Sequence, residues 1–239
     1  MKTVVIDCFP ESVVRYRKRY AVVAVDVVRA TTTAISAVAA GRRCFLVPTI
    51  EAANQLAAKL GNALLVGEQR GVMPPDFDLN NSPVELVART DLGRPAILLS
   101  SSGTRLCHEA SACHAAFLAC FRNYTSVAGY LAENFHKVAV IGAGSQGEFR
   151  AEDQMCCARI AEGLTQMGYV PENSETDALI KRWSNIPLNA WIEGKSAAYL
   201  RDSGQLKDLA FILDNTDDLT AAFTMHGNEV IMHEQHQGV

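Results

Sequence analysis

Through the first 170 residues, short apolar runs alternate with segments whose apolar positions recur every three to four residues. The runs predict strands over 4–8, 21–27, 44–48, 63–67, 96–100, 115–121 and 137–142. The helical spacing predicts helices over 30–40, 51–60, 104–112, about 125–134 and about 151–167, the last closed by Gly168. Residues 69–82 read as a long polar loop, after which Ser82 as N-cap and Pro83 at the first helical position open a short helix. Strands apolar on both faces, alternating with helices, mean an α/β fold with a mixed or mostly parallel sheet covered on both sides. Beyond about residue 170 the pattern changes. A polar break over 171–177 leads to predicted helices over 176–184 and 195–203 and a predicted strand at AFILD, 210–214. His226, His233 and His236 then fall in a polar tail that reads as solvated. The whole chain reads as one unit over 1–239; a smaller C-terminal lobe from about 170, with a site in the cleft between two lobes, is the alternative.

Composition narrows the function classes. In 239 residues, hydrophobic side chains make up 49% and charged ones 20%, enough for a packed core and too apolar for disorder. The net charge of −4 and the lack of a basic block argue against a nucleic-acid surface. The densest basic stretch, Arg15 to Arg19, lies between two strands and reads as a solvated turn. No window reaches the roughly 18 apolar residues of a membrane span, and MKTVVIDCF is too short and strand-like for a signal peptide. Seven cysteines without a C-x-x-C pair fit free thiols in a reducing, cytoplasmic compartment.

Ligands of open α/β sheets collect beyond the carboxyl ends of the strands. Four predicted strand exits carry chemistry. The strand ending at Val25 delivers Asp26, Arg29 and Thr31; that ending at Gly67 delivers Glu68 and a loop carrying Arg70 and Asp78. The strand ending at Leu99 delivers Ser100, Ser101, Ser102, Gly103, Thr104 and Arg105; that ending at Ile141 delivers Gly144, with Glu152 and Asp153 opening the next helix. Carboxylates are the oxygen ligands that Mg²⁺ takes, and a Ser/Thr/Gly loop with arginine at a helix N-terminus suits an anion. Singly, each has a plainer reading: Asp26 as an N-cap, Glu152 and Asp153 as partners of a helix dipole, the serines as a capped turn. The convergence of the four exits favours a site. Asp26, Glu68, Asp78, Glu152 and Asp153 are the catalytic candidates, all but Glu152 also as metal ligands. Arg29, Thr31, Asn81, Ser101, Ser102, Gly103, Thr104, Arg105 and Gly144 are the candidates for holding substrate.

Two other motifs compete. GAGSQG at 142–147 matches the dinucleotide fingerprint locally, but no clear second strand with a terminal acid follows. The same stretch is a degenerate nucleophile elbow at Ser145, for which Asp214 with His226 or His233 would have to complete a triad. No C-x5-R thiolate loop occurs, and Val28 stands where a D-x-D phosphatase carries its second aspartate. A non-catalytic protein binding a small anion or dinucleotide through GAGSQG and SSSGTR is the alternative to an enzyme.

AVDVVRATTT (24–33), GEQRG (67–71), FDLNNSP (77–83), SSSGTR (100–105), Asn123 and AG…ED…C (143–156) together resemble the 2-phosphosulfolactate phosphatases in order and spacing. The resemblance runs, more weakly, to Gly204 and Asp208. It implies an α/β fold, Mg²⁺ dependence, and hydrolysis of 2-phosphosulfolactate to sulfolactate as in coenzyme M biosynthesis. The partner it implies is a small phosphorylated acid, with a homodimer as a further expectation. The chain departs from the family pattern at four places: Gln69 separates Glu68 from Arg70, which would then point elsewhere on an extended loop, Ser102 replaces an asparagine, Ser196 stands where a histidine is frequent, and the closing cysteine and V-P segment are not evident after Phe211.

Overall fold

A computed structural model describes residues 1–234. In chain order the elements are β1 (Thr3–Cys8), β2 (Ala21–Val25), α1 (Ala30–Ala39), β3 (Cys44–Val47), α2 (Ile50–Leu60), β4 (Leu64–Gly67), α3 (Pro83–Val87), β5 (Ala96–Leu99), α4 (Gly103–Ser111), β6 (Ala115–Ala119), α5 (Tyr124–Asn134) and β7 (Lys137–Gly142). They continue with α6 (Ala151–Gln166), β8 (Val170–Pro171), α7 (Ser174–Trp183), α8 (Lys195–Asp202), α9 (Leu206–Asp214), β9 (Ala221–His226) and β10 (Glu229–Glu234). The ten strands form one sheet in the order β4-β5-β3-β10-β9-β6-β2-β7-β1-β8.

This is the α/β architecture that the apolar pattern predicts, mostly parallel and layered with helices. The two-faced strands are the reason. In β2, Val22 and Ala24 point into one core while Val23 and Val25 point into another, so no face is left for water. The caps also stand where the sequence puts them: Ser82 accepts a hydrogen bond from the Glu85 amide at 3.2 Å, with Pro83 next to it.

Two parallel blocks, β4-β5-β3 and β6-β2-β7-β1-β8, are joined by the antiparallel pair β9-β10. Three antiparallel steps separate the blocks, so they run in opposite senses along the sheet order. Helices α1 and α4 nevertheless touch strands of both. Their buried Ile35 and Leu106 share one core with Leu46, Leu64 and Leu98 of one block and Val22, Ala24 and Ile141 of the other. The sheet therefore wraps around these two helices, and the wrapping brings the exits of β2 and β7 to those of β4 and β5. The helices from α5 to α9 cover the larger block outside, around Trp191, Ile160 and Leu131. Helix α2 seals β3 and β5 around Ala53, Phe45 and Ile97.

Two expectations are corrected here. AFILD is not a strand but the second half of α9. Leu209 and Ile212 are buried three residues apart, and Asp208 is buried one residue earlier on that face. A short apolar run has both readings, and the 3.6-residue spacing from Leu206 decides for the helix. The C-terminal segment is not a solvated tail: Ala221–His226 and Glu229–Glu234 form a hairpin in the middle of the sheet. His226 is exposed, and His233 bonds Thr224 Oγ1 at 2.8 Å across the hairpin; His236 lies outside the described residues. The basic stretch at 15–19 is a turn, with Arg15 paired to Asp7 and Arg17 to Glu109. None of the described helices is long and apolar enough to cross a membrane.

Candidate active site

A cavity of about 550 Å³ opens where the strand exits meet. Its inner wall is acidic. Asp26 follows β2 and is 8% exposed. Burial, with the charges of Glu68 and Glu152, pushes its carboxyl up to about 7, against the pull of the Ala30 amide. Its place depends on a missing side chain: a Cβ on Gly103 would stand 2.0 Å from Asp26 Oδ2. Glu152 and Asp153 lie on the first turn of α6 and are both buried. Asp153 accepts hydrogen bonds from the amides of Val27 at 2.9 Å and Gly144 at 3.2 Å, tying α6 to the exits of β2 and β7. Burial pushes the Asp153 carboxyl well up, and Asp26 and Glu152 push it further. Burial likewise raises Glu152, opposed by a hydrogen bond with Ser196.

The second wall is built by Glu68. Its Oε1 accepts from the Ser101 amide at 2.8 Å; its Oε2 accepts from the Ser101 hydroxyl at 2.9 Å and the Gly71 amide at 2.6 Å. The carboxylate thereby staples the turn Gln69–Val72 to the loop after β5. In that turn Arg70 (φ +55°) and Gly71 (φ +81°) are both left-handed, a conformation to which glycine is indifferent and which costs arginine on the order of 1 kcal/mol. The Ser101 hydroxyl lies 2.6 Å from the Arg70 amide, and Tyr199 donates to the Gly71 carbonyl at 2.9 Å. The turn that Gln69 introduces thus sets Arg70 in the cavity wall.

The rim is basic. Arg150, just before α6, and Lys195, first in α8, line the cavity with Arg70. The starts of α1, α4, α6 and α8 all contribute residues, through Arg29, Ser102, Arg150 and Lys195. Backbone amides at helix starts favour anions, so an acidic floor is ringed by groups that hold negative charge.

Of the predicted site residues, Asp26, Glu68, Glu152, Asp153, Arg29, Asn81, Ser101, Ser102 and Gly144 line this one cavity. Others do not. Asp78 is set apart: it accepts from the Leu65 amide at 2.8 Å and sits 3.7 Å from Arg94, at the start of β4 rather than its exit. The loop after β4 doubles back, pairing Leu79 beside Val66. Arg105 turns outward to Glu11 at 2.8 Å. Thr31 and Thr104 are buried in local bonds, Thr31 to the Asp26 amide and the Ala119 carbonyl, Thr104 to Ser100. Gly103 acts by its lack of bulk. Arg29 reaches the cavity, but its guanidinium is paired to buried Asp208, which also accepts from Ser82 Oγ at 2.6 Å.

Sequence reasoning missed Arg150, Lys195 and Tyr199, and named Ser145 and Ser196 only in other roles. Ser145 lines the cavity, but no histidine does, so no described residue completes the triad of a nucleophile elbow. In the GAGSQG loop the Gly144 amide is already bonded to Asp153. A smaller cavity of about 230 Å³, walled by Phe121, Trp191 and Ile212, is lined by no ionisable group.

The sequence matches the 2-phosphosulpholactate phosphatase family over residues 8–224. It is 34% identical over 195 residues to a Thermus thermophilus protein named "Probable 2-phosphosulfolactate phosphatase", covering 80% of this chain and 81% of that one. A Deinococcus radiodurans protein of the same name is 33% identical over 192 residues, 78% of this chain and 80% of its own. A Methanocaldococcus jannaschii protein named "2-phosphosulfolactate phosphatase" is 27% identical over 221 residues, 87% of this chain and 91% of its own. With its acid-floored, basic-rimmed cavity at the strand exits, the chain belongs to the 2-phosphosulfolactate phosphatase family.

Proposed function

We propose that this cavity hydrolyses the phosphate monoester of a small acid, with 2-phosphosulfolactate as first candidate and sulfolactate and phosphate as products, assisted by Mg²⁺. One observation carries the reading: Asp26, Glu152 and Asp153 are buried together at the floor of a cavity whose rim is cationic. Carboxylates that burial and mutual repulsion push upward need a cation or protons to balance them, and a doubly anionic ester needs the rim. Among the described residues no three His, Cys, Asp or Glu side chains are grouped to enclose an ion alone. Mg²⁺ asks for less, taking one or two carboxylates and completing its shell with water and substrate phosphate.

Asp26 and Asp153 are the residues we assign to the ion. When bound, Mg²⁺ supplies charge neutralisation at the phosphoryl oxygens. Arg70 and Ser102 hold the phosphoryl group, and Ser101, whose amide and hydroxyl both donate to Glu68, fixes the loop that carries Ser102. Glu152, raised by burial, takes a proton from the attacking water as its oxygen bonds to phosphorus. The bond from phosphorus to the ester oxygen breaks, and that oxygen leaves as the alcohol with the proton that Glu152 took from the water, which returns Glu152 to its carboxylate. Glu68 is a positioning residue, since its oxygens are occupied by Ser101 and Gly71. The family resemblance supports a place in a coenzyme M type of route, and seven free thiols support a reducing cytoplasmic setting.

The test is phosphate release from 2-phosphosulfolactate and a panel of small phosphomonoesters, with Mg²⁺ and with chelator. Release that needs Mg²⁺ and prefers 2-phosphosulfolactate is expected. Equal turnover in chelator sinks the metal, and a folded protein that releases phosphate from none of the esters sinks the hydrolase.

A further inference from the structure

The two cations of the far rim share one counter-ion. Glu148 Oε1 lies 2.5 Å from Lys195 Nζ, and Glu148 Oε2 lies 2.9 Å from Arg150 Nη1. Both cations line the cavity, and Glu148, which is not itself part of the lining, spans them from outside it. The backbone of Glu148 is fixed. It closes a two-residue turn with Ser145 through hydrogen bonds of 2.9 and 3.0 Å, with Gln146 and Gly147 both left-handed. Its side chain is different, at 48% exposed, and has room to leave. Arg150 is more enclosed: its side chain is 12% exposed, and its buried Nε is a donor without a hydrogen-bond partner. Lys195 and Arg150 keep the Glu148 carboxyl ionised by holding it below the ordinary glutamate range.

The charge layout leaves this pair one use in the reading given above. A substrate acid other than the phosphate cannot lie against Asp26, Glu152 and Asp153, which would repel it. Arg70 adjoins the Ser101 loop and serves the phosphoryl group. Arg150 and Lys195 remain, on the α6 and α8 side, and a carboxylate already bridges them.

We infer that Arg150 and Lys195 form a second anion subsite for the substrate's sulfonate or carboxylate, and that Glu148 is its intramolecular occupant, displaced when substrate binds. Glu148 is then a specificity residue. A ligand with an acid group displaces it and recovers both ion pairs. A ligand without one leaves it in place and gains nothing from the rim. The inference rests on the proposed substrate class but not on turnover.

Calorimetric binding of sulfolactate and of inorganic phosphate to the wild-type chain, Glu148→Gln and Lys195→Met tests it. Removing the competitor is expected to tighten sulfolactate about three- to tenfold, the scale of exposed ion pairs. Lys195→Met weakens it by a similar factor. Phosphate, which has no second acid group, shifts by less than about twofold in both variants. Equal shifts for the two ligands, an unchanged sulfolactate affinity in Glu148→Gln, or no sulfolactate binding at all overturns the subsite. Tightening of sulfolactate in a protein that releases no phosphate leaves the subsite standing and removes the hydrolase reading alone.

Discussion

The acid floor and the basic rim of this cavity are made of the same kind of material, ionisable side chains near helix starts, yet they are built on opposite terms. On the floor, Asp26, Glu152 and Asp153 are almost fully buried and face one another, so each raises the cost of ionising the next. On the rim, Arg150 and Lys195 are paired with Glu148, and Lys195 is largely in water. The floor stores free energy that only a cation or a proton releases, whereas the rim stores little and exchanges its partners cheaply. Function that depends on the floor should therefore be all-or-none, and function that depends on the rim graded.

The sharpest break of this contrast is Asp26→Asn. An amide keeps the shape and removes the charge. Activity should fall by a factor on the order of 10³, the scale for losing a group that stabilises transition-state charge. Stability should move the other way. Burial raises the Asp26 carboxyl in the folded chain to about 7, above the roughly 3.9 of an unfolded aspartate. Between about pH 4 and 7 the folded state then binds more protons than the unfolded state, so this group's contribution to stability falls as pH rises through that window. In chelator at pH 8, Asp26→Asn should be more stable than wild type by on the order of 2 kcal/mol, with the gap closing towards pH 4. Denaturant titrations of both proteins across that range check it; a gap that does not change with pH refutes the assignment of buried charge at Asp26.

Next in size is the buried pair Arg29–Asp208, each side chain 3% exposed. Asp208→Ala leaves the guanidinium buried without its counter-ion and removes the acceptor of Ser82. A loss of about 3–5 kcal/mol is expected, the range for breaking a buried ion pair, measured as a drop in denaturation midpoint. A loss under about 1 kcal/mol would show that Arg29 is free to serve an anion, as the sequence alone suggests. Glu68→Gln should do less. An amide retains one acceptor of the two, so the Arg70 turn loosens without leaving. KM should rise several-fold with kcat nearly kept, and the Mg²⁺ concentration for half-maximal activity should stay put. A shift in that concentration instead would make Glu68 a ligand of the ion.

The same contrast explains which parts of the molecule were legible in the sequence. Asp26 directly follows β2, and Glu152 and Asp153 open the helix that follows β7, so the rule that sites form at strand exits reaches all three. The rim was hidden. Lys195 and Tyr199 lie at least 42 residues beyond Asp153 on α8, and no periodicity says that α8 folds over α6. The hairpin does carry a local signal: Gly227-Asn228 between two runs of mixed residues is a two-residue turn. Its second strand is faint in the sequence because β10 buries only Val230 fully and so lacks the apolar alternation of a covered strand. AFILD misled in the reverse sense, five mostly apolar residues being too short a window to tell period 2 from period 3.6.

The smallest expected effect is also the cleanest check on where the site ends. Asp78 and Arg105 have the right residue types, close in sequence to two of the four exits. The structure spends both elsewhere, Asp78 on the Leu65 amide and Arg105 on Glu11, with the side chains of that last pair 54% and 62% exposed. Exposed pairs of this kind contribute at most about 1 kcal/mol. Arg105→Ala should leave kcat/KM within about twofold and stability within about 0.5 kcal/mol. Asp78→Asn should cost somewhat more stability, because the Leu65 amide loses a charged acceptor, while leaving turnover and its Mg²⁺ dependence unchanged. A large loss of kcat in either variant would mean that the loop after β4 or the start of α4 rearranges to bring these groups inward when substrate binds, and that the acid floor is wider than Asp26, Glu152 and Asp153.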